Sequence, residues 1–125
     1  MKTEQVTYFT EKEDEFAQLL VDLGMKRNVA KVLIYLANVE ETASRNIERG
    51  TDLRQPEVSL AMTYLQERKW IDCREIKSES KGRPIKIYKL AVPLKTVLDG
   101  IEKAKKKEAQ QNAALIKKLR EIRED

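Results

Sequence analysis

The chain has 125 residues, 37% charged and 41% hydrophobic, with a formal net charge of +4. That length suits one domain plus an appendage, with a core that needs neither metal nor disulfide, and the apolar share excludes a disordered chain. A single cysteine, Cys73, rules out an intramolecular disulfide, and the lack of histidine leaves no zinc ligand set and no Cys–His or Ser–His pair for catalysis.

Residues 11–22, "EKEDEFAQLLVD", read as a helix capped by Thr10, with acids in the first turn and Gly24 as its stop. Phe16, Leu19, Leu20 and Leu23 form its apolar stripe. Residues 26–39 predict a second, central helix: Val29, Val32, Leu33, Leu36 and Ala37 make the buried face, widened by Ile34 and Tyr35. Residues 42–50 predict a short helix capped by Thr42 or Ser44, anchored by Ile47 and stopped by Gly50. Leu53 is expected to plug the core. Residues 55–68 predict the next helix, with Pro56 and Glu57 suited to its first turn. Val58, Ala61, Met62 and Leu65 would face inward, so Arg54, Gln55, Ser59, Thr63 and Gln66 point away.

Residues 70–78 and 85–90 are rich in β-branched and aromatic residues and read as antiparallel strands joined by "ESKGRP". Ile85 and Ile87 alternate with Lys86 and Tyr88, and Gly82 is available for positive φ in the turn. Trp70 reads as a core anchor rather than a stacking platform for bases. The irregular first strand gives Cys73 no fixed facing, and packing or an intersubunit disulfide are its open roles. After Pro93 a single helical pattern runs to the end. Leu94, Leu98, Ile101, Leu115, Leu119 and Ile122 fall on one heptad seam, with Asn112 among the polar residues at its middle.

Charge is unevenly spread. Residues 1–22 hold two Lys against six acids, net −4, whereas residues 23–125 hold 23 Lys and Arg against 15 acids, net +8. A basic body suggests a polyanionic partner. No run of 18 apolar residues is present and the N-terminal stretch lacks an apolar signal region, so the expectation is a cytoplasmic protein with no membrane partner.

Three clustered helices followed by a two-stranded hairpin describe a winged helix-turn-helix, mainly α with a small β-hairpin (α+β). Its expected parts are an N-terminal helix in residues 1–23, packed on the domain or at a dimer interface, a DNA-binding domain in 24–92 and a C-terminal dimerisation helix in 93–125. In such a fold the second helix of the pair enters a major groove, and the hairpin tip lies beside the duplex.

The run "TDLRQPEVSLAMTYLQERKWIDCREIKSESKGRPIKIYKL", residues 51–90, resembles archaeal winged-helix transcriptional regulators of the TrmB-like and MarR-like kinds. The shared features are the "LRQPEVS" helix start, an exit similar to "ERGWI" and the "KGRP" wing tip. Lys69 stands where glycine is usual before Trp70, so the exit either places a non-glycine residue in the left-handed region or takes another path. Leu60 is an apolar residue near the expected DNA face. The resemblance implies a DNA-binding regulator that dimerises; no stretch of this sequence reads as the separate sugar-binding domain that longer TrmB-like proteins carry.

On this reading Arg54, Gln55, Ser59, Leu60 and Thr63 face DNA from the recognition helix, where Arg suits guanine and Gln suits adenine. Lys77, Lys81, Gly82, Arg83 and Lys86 form the wing contacts, and Thr42, Ser44 and Arg45 meet the DNA backbone. The expected function is sequence-specific binding of double-stranded DNA by a homodimeric regulator, with no catalysis, cofactor or metal. The alternative is a winged-helix protein-interaction module of a transcription or assembly complex. RNA binding is a third class.

Overall fold

The computed structural model describes residues 10–77 and 84–123. Five helices and three short strands follow one another as α1 (Glu11–Asp22), α2 (Arg27–Ala37), β1 (Thr42–Ala43), α3 (Ser44–Thr51), α4 (Gln55–Glu67), β2 (Ile71–Ile76), β3 (Ile85–Leu90) and α5 (Leu94–Arg123). They fall into two units, Met1–Val92 and Pro93–Asp125.

The first unit is organised around α2, which packs against α1, α3 and α4. Its residues Val29, Ala30, Val32, Leu33, Ile34 and Leu36 are all buried, so it is apolar over most of its circumference. Ile47 of α3, Ile71 at the start of β2 and Val58, Ala61, Met62 and Leu65 of α4 complete the core. Each fully buried aliphatic side chain contributes about 1.5–3 kcal/mol relative to exposure.

The N-terminus of α1 carries a complete capping box. Thr10 Oγ1 accepts from Glu13 N at 3.1 Å, and Glu13 Oε1 accepts from Thr10 N at 2.9 Å. The apolar stripe expected on α1 is rotated relative to its packed side. Ala17 and Leu20 are buried, whereas Leu19 and Leu23 are 55% and 47% exposed. The packed side is centred on Ala17 and Leu20, which leaves Leu19 and Leu23 on the outer side and Phe16 half-buried.

Three helix ends share one device. Gly24, Asp52 and Lys69 have φ of 108°, 59° and 62°. The next amide in each case reaches back five residues, from Met25 to Leu20 O at 3.0 Å, Leu53 to Glu48 O at 3.2 Å and Trp70 to Leu65 O at 3.1 Å. This is the Schellman return, in which a left-handed residue lets the chain wrap over the last turn and satisfy an orphan carbonyl. Lys69 therefore takes the left-handed conformation that glycine would adopt without steric cost.

The helix expected over 42–50 is corrected in two respects. Thr42 and Ala43 are a strand, and α3 begins at Ser44 with Ala43 as its cap residue and no side-chain cap. Gly50 does not stop the helix, which continues to Thr51 and ends at Asp52. Gly50 instead makes room for Tyr35 of α2. A Cβ there would lie 2.6 Å from Tyr35 Cδ1 and 2.9 Å from Cζ, with Cε1 closer still.

The sheet is three-stranded and antiparallel in the order β1–β3–β2, rather than the two strands expected. Ile71 pairs with Leu90, Cys73 with Tyr88 and Ile76 with Ile85 across the hairpin, while Thr42 and Ala43 pair with Tyr88 and Ile87. Glu41, just before β1, bonds Arg74 of β2 at 2.5 Å. Expected alternation on β3 is incomplete. Ile85 is 43% exposed and pairs with the 41% exposed Ile76 at the end of the ribbon where the two strands are connected, so only Ile87, Tyr88 and Leu90 are partly covered.

The second unit is the 30-residue helix α5, about 45 Å long. Val97 is buried, Leu94, Leu98 and Ile101 are half-buried, and every residue from Glu102 to Arg123 is exposed. Exposed ion pairs at one-turn spacing, Lys95–Asp99 and Glu102–Lys106, support it weakly.

The Gly50–Tyr35 fit is checked by denaturant unfolding. Gly50→Ala is expected to lower stability by about 1–3 kcal/mol in the natural background and by much less beside Tyr35→Ala. Equal costs in the two backgrounds would remove the ring from the explanation.

Candidate nucleic-acid interface

The helix pair is α3 and α4. A tight link, Asp52 to Arg54, joins them, and its direction is set by the left-handed Asp52. Burial on α4 is strictly one-sided. Val58, Ala61, Met62 and Leu65 are buried, and Arg54, Gln55, Ser59, Leu60 and Thr63 are all exposed. The helix that closes the core therefore presents these five residues outward.

Glu57 has a structural partner. Its Oε1 accepts from Arg54 N at 2.9 Å, so the carboxylate satisfies an orphan amide at the positive end of α4. Thr63 Oγ1 donates to Ser59 O at 3.1 Å, which commits its hydroxyl proton within the helix. Of the outward residues, Arg54 and Gln55 are exposed at the first turn of α4, and the N-terminal residues of a recognition helix contact base edges.

The candidates before α3 divide. Arg45 is exposed and Ser44 half-buried at the helix start. Thr42 is corrected: it is only 7% exposed, because it lies in β1 opposite Tyr88, and its hydroxyl turns to Ala43 O. Strand pairing has taken the position that a cap would have used, and Thr42 offers no surface group to a phosphate.

On the hairpin, Lys77 and Lys86 are exposed. Lys81, Gly82 and Arg83 lie outside the described residues. Arg68, not singled out from sequence, lies 3.5 Å from the Tyr64 ring centroid and 6.0 Å from that of Trp70. Stacking holds this cation at the C-terminal end of α4, and the visible signal was the four-residue spacing of Tyr64 and Arg68. Trp70 is half-buried, and its carbonyl accepts from Ala91 N at 2.8 Å. Cys73, whose facing the sequence left open, is exposed. Partial burial, and next the Cys73 thiol across the strands, raise the Tyr88 phenol above its ordinary value, so it is protonated at neutral pH.

Among the described residues no cluster of three or more His, Cys, Asp or Glu side chains is placed to hold a metal, and no helix is long and apolar enough to cross a membrane.

The fold is a winged helix. It is similar to a possible transcriptional regulator from Methanosarcina mazei Go1, at TM-score 0.64 and 15% identity over 86% of each chain. A MarR family transcriptional regulator from Silicibacter pomeroyi DSS matches 89% of this chain and 78% of its own, at TM-score 0.53 and 14% identity. The transcriptional regulator PA4135 matches 90% of this chain and 88% of its own, at 0.51 and 16%. No protein-family model matches the sequence. No curated protein matches it either.

The role of Glu57 is tested by stability. Glu57→Ala is expected to cost about 0.5–2 kcal/mol through loss of the cap, and Glu57→Gln much less, because the amide oxygen still accepts from Arg54 N. Equal losses would show that charge, rather than the hydrogen bond, is what Glu57 supplies.

Proposed function

We propose that the chain is a sequence-specific, double-stranded-DNA-binding transcriptional regulator that acts as a homodimer. One observation carries this reading: the second helix of a helix pair in a winged-helix fold turns Arg54, Gln55 and Ser59 outward. Three further features support it: the basic character of residues 23–125, the exposed Lys77 and Lys86 on the hairpin, and neighbours of the same fold named as transcriptional regulators.

The mechanism is reversible binding without turnover. Helix α4 enters a major groove, where Arg54 suits guanine O6 and N7 and Gln55 suits adenine N6 and N7. Arg45, Lys77 and Lys86, with Lys81 and Arg83 of the segment that links β2 to β3 in sequence, neutralise phosphates and fix register without reading sequence. Occupying DNA near a promoter then alters transcription, most simply by excluding the transcription machinery.

Dimerisation follows from unpartnered apolar surface. Leu115, Leu119 and Ile122 are 59%, 64% and 80% exposed on one seam of α5, a surface that a second copy of the chain would cover. Leu19 and Leu23 of the acidic α1 add a second apolar line for the same purpose. A two-fold dimer implies an inverted-repeat site with half-sites one helical turn apart, about 10 base pairs, or a multiple of it.

Two measurements test this reading. Duplex affinity is expected to fall steeply between low and moderate salt, and the Lys81→Ala/Arg83→Ala variant to bind more weakly with a log–log salt slope shallower by roughly 2. An unchanged slope would remove the wing from the interface. In sedimentation, Leu115→Gln/Leu119→Gln is expected to be monomeric where the natural chain is dimeric; a dimer that survives both changes would place the interface elsewhere.

A further inference from the structure

At about 3.6 residues per turn, the positions of α4 diametrically opposite its buried face are 56, 60, 63 and 67. The first three are Pro56, which has no amide proton, Leu60, which is 74% exposed, and Thr63, whose hydroxyl proton is spent on Ser59 O. The most prominent line of α4 therefore offers no free hydrogen-bond donor, while Gln55 and Ser59 lie to one side of it and Arg54 precedes it as the N-cap residue. The other large exposed aliphatic residues occur in groups on α1, at the connected end of β2 and β3 and along the second half of α5, each with apolar neighbours. Leu60 stands by itself at the middle of the helix.

A single exposed leucine on an ordinary surface needs no explanation. Here its position decides the matter. A residue projecting from the centre of a recognition helix meets the floor of the major groove, where the only apolar group that a base pair exposes is the C5-methyl of thymine. Resting on the DNA-binding role of α4 proposed above, we propose that Leu60 reads a thymine methyl, making it a specificity-determining residue, and that each half-site carries a thymine at the position Leu60 faces. Arg54 and Gln55 select by hydrogen bonding to base edges, whereas Leu60 selects by burying a methyl group. A cytosine or guanine there would present a polar edge to the leucine and lose solvation without a partner.

The test uses the full chain and a random-sequence duplex pool. The pool is selected with the natural protein, and each thymine of the enriched site is then replaced singly by deoxyuridine, which removes only the methyl. One thymine per half-site is expected whose replacement weakens binding about fourfold, the effect of one buried methyl-sized group. Leu60→Ala, at an exposed site where folding is not at risk, is expected to bind the thymine and uracil duplexes equally. Leu60→Met is expected to keep the preference. Three outcomes would overturn the proposal while leaving DNA binding intact: no thymine whose methyl matters, a methyl effect that persists in Leu60→Ala, or Leu60→Ala binding the thymine duplex as well as the natural chain, the pattern of a leucine that docks a protein. Failure of the pool to enrich any duplex, with no salt-sensitive binding, overturns the DNA-binding reading and this one with it.

Discussion

Two residues of extended chain hold the candidate interface together. Thr42 and Ala43 pair with Tyr88 and Ile87, so the strand that leads into α3 is also an edge of the hairpin sheet. A two-stranded ribbon alone is marginal in water. The third strand and the Glu41–Arg74 ion pair fasten the ribbon to the start of the helix pair. Burial of Thr42 follows from this, and so does the half-buried state of Tyr88 with its raised phenol pKa.

At the other end of the helix pair, the chain is steered by local backbone geometry. Asp52 turns α3 into α4, and Lys69 turns α4 into β2, each in the left-handed region and each followed by a five-residue hydrogen bond. Non-glycine residues in this region carry a cost of roughly 1–2 kcal/mol, offset by the satisfied carbonyls and by Leu53 and Trp70 folding back over the helix ends. With both ends of α4 fixed and Val58, Ala61, Met62 and Leu65 locked in the core, the outward rotation of Arg54, Gln55, Ser59 and Leu60 leaves little freedom. Core packing and outward display are two sides of one helix.

Much of this was legible because burial imposes a period. The inward residues of α4, most of those of α2 (Ala30 was missed and Ala37 is only half-buried), the bounds of β3 and the start of α5 after Pro93 follow from apolar spacing and proline placement. The exposed candidates on α4 were the complement of its buried face. Features that depend on partners distant in sequence were not legible. A two-residue strand has no alternation to detect, so Thr42 looked like a cap. Gly50 looked like a helix stop because its true reason, the ring of Tyr35, comes from another helix. The stripe on α1 was apolar enough to suggest burial throughout, but of its members only Leu20 is buried, beside Ala17, while Leu19 and Leu23 stay exposed.

The proposed DNA contact of α4 and the hairpin is probed most directly by backbone NMR of the full chain titrated with duplex DNA. Perturbations are expected to centre on residues 54–63 and on Arg45, Lys77 and Lys86, with the buried amides of α2 unmoved. Perturbations confined to α1 or α5, with residues 54–63 silent, would contradict the assignment of this face to DNA.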